Sequence, residues 1–275
     1  MRAKDLTFAG ETLSSHGFMI AGFDDPPAGD EVTTDSQRSF TTVSMFYGAY
    51  QPFIYTSYED RLVMEFTVMK QVCDDDGKEI NASQDDMRIT QNEIRAMKRW
   101  LSRPTPHKLT IADSEYADFY WEGTFNVQEI HLLGATYGLK LTFESNRPFA
   151  LQNELVYSGE LNTGGRIIID DVSDEEGHIY PSLEVTCLAT GDLQLHSEIE
   201  NRTTIVKNCK VGETITFTPT LQVRTNNTEH SIGDDFNYKF VRICNTYDNV
   251  RNIITTTIPI RYVLKYNPIA KVVVA

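Results

Sequence analysis

Alternation of apolar and polar side chains constrains this chain more than any other feature. Leu62, Met64, Phe66 and Val68 alternate with Val63, Glu65, Thr67 and Met69. Successive side chains of a strand point to opposite faces, so the pattern predicts a strand with one strongly buried side. Leu139, Leu141 and Phe143 repeat it against Lys140 and Thr142. Near the C-terminus Ile258, Ile260, Tyr262, Leu264 and Tyr266 share a face, with Pro259, Arg261 and Lys265 on the other. Pro259 has no N–H to give a ladder, which places it where a strand starts or borders a sheet. Turn dipeptides punctuate the apolar runs: Asp76-Gly77, Gly164-Gly165, Gly191-Asp192, Gly212-Glu213 and Gly233-Asp234. Together these predict a mainly β protein of antiparallel sandwiches.

One segment departs from that period. Thr90 and Glu93 fit a capping box, the hydroxyl accepting from the third backbone N–H while the carboxylate reaches back. Ile94, Met97 and Leu101 follow at helical spacing with Ala96 and Trp100 beside them, and Pro104 ends the run. The expectation is one amphipathic helix over 90–102, with Trp100 packed on a sheet and Arg95, Lys98 and Arg99 pointing elsewhere. A chain of 275 residues suits two domains. The boundary is expected just after Phe149, where Asn146-Arg147-Pro148 closes a strand and the polar Gln152-Asn153-Glu154 follows. That divides the chain into 1–152, which holds the helix, and 153–275.

Charge narrows the partners. With 25 Lys+Arg against 39 Asp+Glu, the formal net charge is −14. Such a surface repels phosphate backbones and disfavours a duplex-binding groove. It suits a wall past which DNA moves without sticking. The opening segment lacks an apolar stretch of signal-peptide length, and its longest apolar run, Phe18 to Ala21, is far too short to span a bilayer. The expectation is synthesis in the cytoplasm without a membrane anchor. In that setting the sequons at Asn81, Asn201 and Asn226 carry no glycan.

The chemistry-bearing residues form no signature. Cys73, Cys187, Cys209 and Cys244 are far apart in sequence with no C-x-x-C pair, so they read as free structural thiols. The six histidines make no H-x-x-x-H pair. Nucleophile-elbow, P-loop and dinucleotide motifs are missing. Aligning Gly77 to an EF-hand loop puts Val72 and Ser83 where carboxylates belong, and aligning Gly177 puts Val172 and Leu183 there. No catalytic residue, cofactor or metal is expected. Two clusters stand out instead. Tyr116, Phe119, Tyr120 and Trp121, with Phe125, read as core plus subunit interface, where aromatics are enriched. Asp74, Asp75, Asp76, Asp85 and Asp86 form an acidic loop between a core strand and the helix. It faces solvent in the plainer reading, and a channel or a neighbouring protein in the sharper one.

The order of these elements resembles that of the phage distal tail protein (Dit) family. The stretches LTFAGETLSSHGFMIAG, SFTTVSMFYGAYQPFIYTSYEDRLVMEFTV, ITQNEIRAMKRWLSRPTPHKLTIADSEYADFYWEGTF and YGLKLTFESNRPFAL are similar in turn to the strands, loop, helix and hairpin of its N-terminal domain. YPSLEV, VGETITF and RNIITTTIPIRYVLKY resemble its galectin-like C-terminal β-sandwich. The segments 74–86 and 226–239 match no part of the family pattern. The resemblance implies a structural virion protein and no enzyme. It implies a homohexameric ring at the end of a phage tail, joining the tube protein to a tail-associated hub or fibre protein, with C-terminal domains that dock receptor-binding proteins in some members. The competing reading is a pair of carbohydrate-binding modules. The helix between strands of the first domain and the missing secretion signal oppose it.

Overall fold

The computed structural model describes residues 5–21, 38–43, 53–58, 61–72, 83, 85–246 and 251–272, of which 38–43 and 53–58 as backbone only. The chain divides into two compact units, Met1–Leu151 with Lys271–Ala275, and Gln152–Ala270. Both are built mainly from antiparallel strands.

In the first unit one sheet runs, edge to edge, through Glu11–Thr12, Leu6–Phe8, His107–Ile111, Phe119–Leu132, Ala135–Ser145, Val63–Lys70 and Phe18–Ile20. The alternation at 62–68 emerges as expected. Met64, Phe66 and Val68 are buried while Val63 and Glu65 are exposed. Register puts Met64 opposite Phe143, Phe66 opposite Leu141 and Val68 opposite Leu139, so the two apolar faces coincide. Phe125 joins them, its ring 5.0 Å from Phe143 and 5.1 Å from Phe8, both edge-on. Arg38–Val43 and Phe53–Tyr58 form a separate antiparallel pair.

The helix spans Gln91–Leu101, with Thr90 as its N-cap and the capping box complete. Ile94, Met97, Trp100 and Leu101 are buried. Trp100 donates its indole N–H to the Phe8 carbonyl at 3.0 Å and meets the Phe8 ring edge-on, fixing the helix on the sheet. Gly123 marks a close approach in the same sheet. A Cβ there would lie 2.2 Å from the Glu144 carbonyl oxygen, so a side chain is excluded.

The longest strands, Phe119–Leu132 and Ala135–Ser145, form a hairpin closed by Leu133 and Gly134. Both turn residues have positive φ, 51° and 83°, the backbone of a two-residue turn that matches strand twist. Leu133 is 92% exposed at the tip.

The second unit is a sandwich. One sheet orders Leu155–Leu161, Ile260–Tyr266, Ser182–Cys187, Thr214–Phe217 and Val223–Thr225; the other orders Arg166–Ile169, Asn252–Thr256, Gly191–Ser197 and Arg202–Cys209. Leu183, Val185, Phe217 and Leu264 from the first meet Ile167, Leu193, Leu195 and Val206 from the second in one core. Pro259 sits one residue before the strand it introduces. Gly177–Ile179 and Ile243–Asn245 make an additional two-stranded ladder. Among the described residues no helix is long and apolar enough to cross a membrane.

Candidate functional site

The aromatic cluster divides by burial. Trp121 is 1% exposed and donates its indole N–H to the Val272 carbonyl at 3.1 Å. Tyr120 is buried too, with Lys108 Nζ 4.1 Å from its ring centroid. Neither ring offers the open face that stacking on a sugar needs. Tyr116 and Phe119 are half-buried. Tyr116 sits in the turn between His107–Ile111 and Phe119–Leu132, its ring 6.2 Å from that of Trp121. The Asp113 carboxylate accepts from the Glu115 amide at 2.9 Å, and the Asp113 carbonyl accepts from the Tyr116 amide at 3.2 Å. These bonds hold a compact turn that presents Glu115 and Asp118 to solvent.

On the same unit lies a cleft of about 580 Å³ lined by Glu11, His16, Asn92, Arg95, Ala96, Arg99, Trp100 and Arg103. His16 stacks on Trp100 with ring centroids 4.1 Å apart. Glu11 lies 3.0 Å from His16 Nε2 and 3.7 Å from an Arg103 nitrogen. Arg95 and Arg99 are four apart on one helical face, and Arg103 joins them from just past the helix end, so the cleft is cationic in an acidic chain. The arrangement suits an anionic group; it brings together no nucleophile and base.

Of the acidic loop, Asp74, Asp75 and Asp76 lie outside the described residues, as does Cys73. Asp86 accepts from Ser83 at 2.5 Å. Asp85 and Asp86 are both outside the core.

The second unit holds two polar clusters that no sequence pattern announced. Glu213 is buried and takes hydrogen bonds from Thr225 Oγ1 at 2.5 Å and the Lys210 amide at 2.9 Å, with His230 Nδ1 at 2.5 Å. Burial by itself would raise the Glu213 carboxyl, but these bonds hold it below its ordinary value. Burial would likewise lower His230, yet the Glu213 bond and charge carry it above its ordinary value. His230 Nε2 lies 3.2 Å from Asp235 Oδ2, close enough for charge attraction, but makes no hydrogen bond among the described residues. Nearby, Cys187 is fully buried. Its hydrogen bond with Cys209, together with burial, pushes its thiol up and keeps it neutral.

The other cluster joins the cross-strand neighbours His178 and Cys244 to Glu200. Their donor atoms lie within 4.8 Å of one another, close enough to hold a metal ion. Arg242 already grips Glu200, with Nε 2.9 Å from Oε2 and a second nitrogen on Oε1. Burial raises Glu200, but Arg242 and then His178 hold it below the usual carboxylate range. A metal would share its carboxylate with a guanidinium and would deprotonate a thiol that burial pushes up.

No protein of curated function matches the chain. Among solved structures, the crystal structure of the SPP1 Dit (gp 19.1) protein, described as a paradigm of hub adsorption apparatus in Gram-positive infecting phages, is similar. It aligns with a TM-score of 0.66 at 13% identity, over 97% of this chain and 99% of that one. The fold is therefore of the mainly β, two-unit Dit class. Residues 1–147 match the family described as phage tail protein N-terminal domain, and residues 149–266 match phage tail C-terminal domain. The chain belongs to this phage tail family, and it is a structural component of a phage tail.

Proposed function

We propose that this tail protein forms a closed ring, of six copies, at the distal end of the tail. The tube protein sits above it and a hub or fibre protein below. Residues 1–152, with the returning segment 271–275, form the ring, while the galectin-like residues 153–270 project outward and dock receptor-binding components. The observation that carries this reading is the end-to-end likeness to a hub protein, which leaves neither unit of the chain unmatched. The acidic composition supports it as well, because a conduit for DNA works best when few cations face its lumen. A closed ring needs a heterologous contact, two different patches on each subunit. Purified protein viewed by negative-stain microscopy, with mass from light scattering, should show closed rings. A monodisperse monomer at high concentration, in low and in moderate salt alike, would overturn the proposal.

A further inference from the structure

Resting on that ring reading, we infer that the Arg95–Arg99 cleft receives the Asp113–Asp118 turn of a second copy of this chain, and that this is the contact that closes the ring.

Most cations of the first unit that the structure describes are already paired. Arg61 pairs with Glu144, Lys70 with Glu93, Lys98 with Glu129, Lys140 with Glu65, Arg147 with Glu122, and Arg103 with Glu11. Among the described residues no ion pair reaches Arg95 or Arg99. They stand four residues apart on an exposed helical face, the spacing at which like charges repel. A chain of net charge −14 with acidic groups to spare leaves these two guanidinium groups without an acidic partner among the described residues, beside the cleft. The cleft floor is firm: Trp100 is anchored to Phe8, and His16 is stacked on it and tied to Glu11. Two planar forks on a rigid floor are suited to carboxylates, which guanidinium groups bind in bidentate fashion.

The same pairing pattern identifies what fits. Glu65, Glu93, Glu122, Glu129 and Glu144 are taken by the cations named above. Glu115 and Asp118 are exposed and have no ion-pair partner among the described residues. They project from a turn that Asp113 holds in shape, flanked by the half-buried Tyr116 and Phe119. An aromatic beside charged groups at a tight turn is the composition expected of an interface anchor with a polar rim.

Cleft and turn belong to one unit but lie at opposite ends of the strand His107–Ile111. Arg103 precedes that strand, and Asp113 follows it. Five residues of strand separate the two ends by roughly 17 Å. One copy therefore cannot fold its own turn into its own cleft, whereas a neighbour can insert its turn there. Two unlike, charge-complementary patches on one subunit make a head-to-tail contact, the kind that generates rings.

The experiment uses the full-length protein and two charge-reversed variants, Arg95→Glu with Arg99→Glu, and Glu115→Arg with Asp118→Arg. All four residues are exposed, and an unchanged circular dichroism spectrum and melting transition confirm folding. Each variant alone carries like charges on both patches and should be monomeric by light scattering. Mixed one to one, every junction again pairs opposite charges, and alternating rings of wild-type mass should form. Raising salt toward 1 M, where screening acts within about 3 Å, should loosen the wild-type ring. Rings formed by either variant alone, from a wild type that also forms rings, would overturn this contact and leave the ring reading standing. Monomeric variants that fail to assemble on mixing would overturn the pairing of cleft with turn. A wild type that never assembles would remove both readings.

Discussion

Leu133 occupies a left-handed conformation, φ 51°, that costs an L-residue with a branched side chain about 1–2 kcal/mol. It is also 92% exposed, so the protomer gives its side chain almost nothing to pack on. Leu133→Asn should therefore stabilise the protomer by about 1 kcal/mol, since asparagine tolerates this region and Asn-Gly suits such a turn. A urea midpoint that rises with an unchanged slope would be the sign; a midpoint that falls would mean the tip is packed in the isolated chain. The Glu213–His230 pair makes a second case in which single residues govern behaviour. His230 titrates above its ordinary 6.5, so its stabilisation is complete below 6.5 and is lost as pH rises through the raised value. Glu213 titrates below its ordinary 4.5, so its stabilisation is present above 4.5 and is lost as pH falls through the lowered value. The second unit should melt highest between 4.5 and 6.5. His230→Gln should flatten the alkaline decline and also move the acid one to higher pH, because His230 helps hold the Glu213 carboxyl down. Melting curves collected across pH decide this, and a wild-type stability that climbs above 6.5 would refute the linkage. No local pattern announces this pair. Its members are 17 residues apart, and only the folding of the segment after Val223–Thr225 brings the imidazole back onto the carboxylate.

At the scale of elements, legibility followed from how local the signal is. The helix was readable because its cap, its apolar spacing and its terminating proline all lie within one short segment, and it begins one residue after the capping Thr90. The strands at 63–70 and 135–145 were readable because each has one buried face. The cleft was not readable. Glu11 and His16 reach it from a segment some eighty residues earlier, and Arg95 and Arg99 looked like an ordinary solvated helix face. Trp121 was legible only as one of an aromatic run expected in core and interface, since such a run shows apolar content without showing which ring the fold covers most. The helix supports a paired prediction. Thr90→Ala removes the cap and should cost about 1 kcal/mol. Trp100→Ala removes a buried ring and its bond to Phe8, and should cost about 3–5 kcal/mol. Denaturant unfolding of both variants would show the difference; equal small losses would mean that the helix is not fixed through Trp100.

At the scale of the whole molecule, the chain returns to its first unit after completing its second. Local patterns located the change near residue 150, but nothing local shows that a chain re-enters an earlier unit after completing a later one. Lys271 and Val272 are counted with the first unit, after the sandwich of residues 152–270 is complete. The Val272 carbonyl accepts the indole N–H of Trp121, a ring 1% exposed in the first unit's core. Ending the chain at Ala270 would take that acceptor away and leave a largely buried donor unsatisfied. Such a donor costs about 1–3 kcal/mol, more than the bond itself contributes when intact. The loss should fall on the first unit although the residues removed follow the second. Trp100 and Trp121, the two tryptophans of the chain, both lie in the first unit, so indole fluorescence reports on that unit alone. Removing Lys271–Ala275 should lower the urea midpoint of the fluorescence transition. Val272→Ala keeps the backbone carbonyl and should leave that midpoint nearly in place. If the truncated chain unfolds by fluorescence at the wild-type midpoint, Trp121 finds another acceptor and the returning segment does not hold the first unit together.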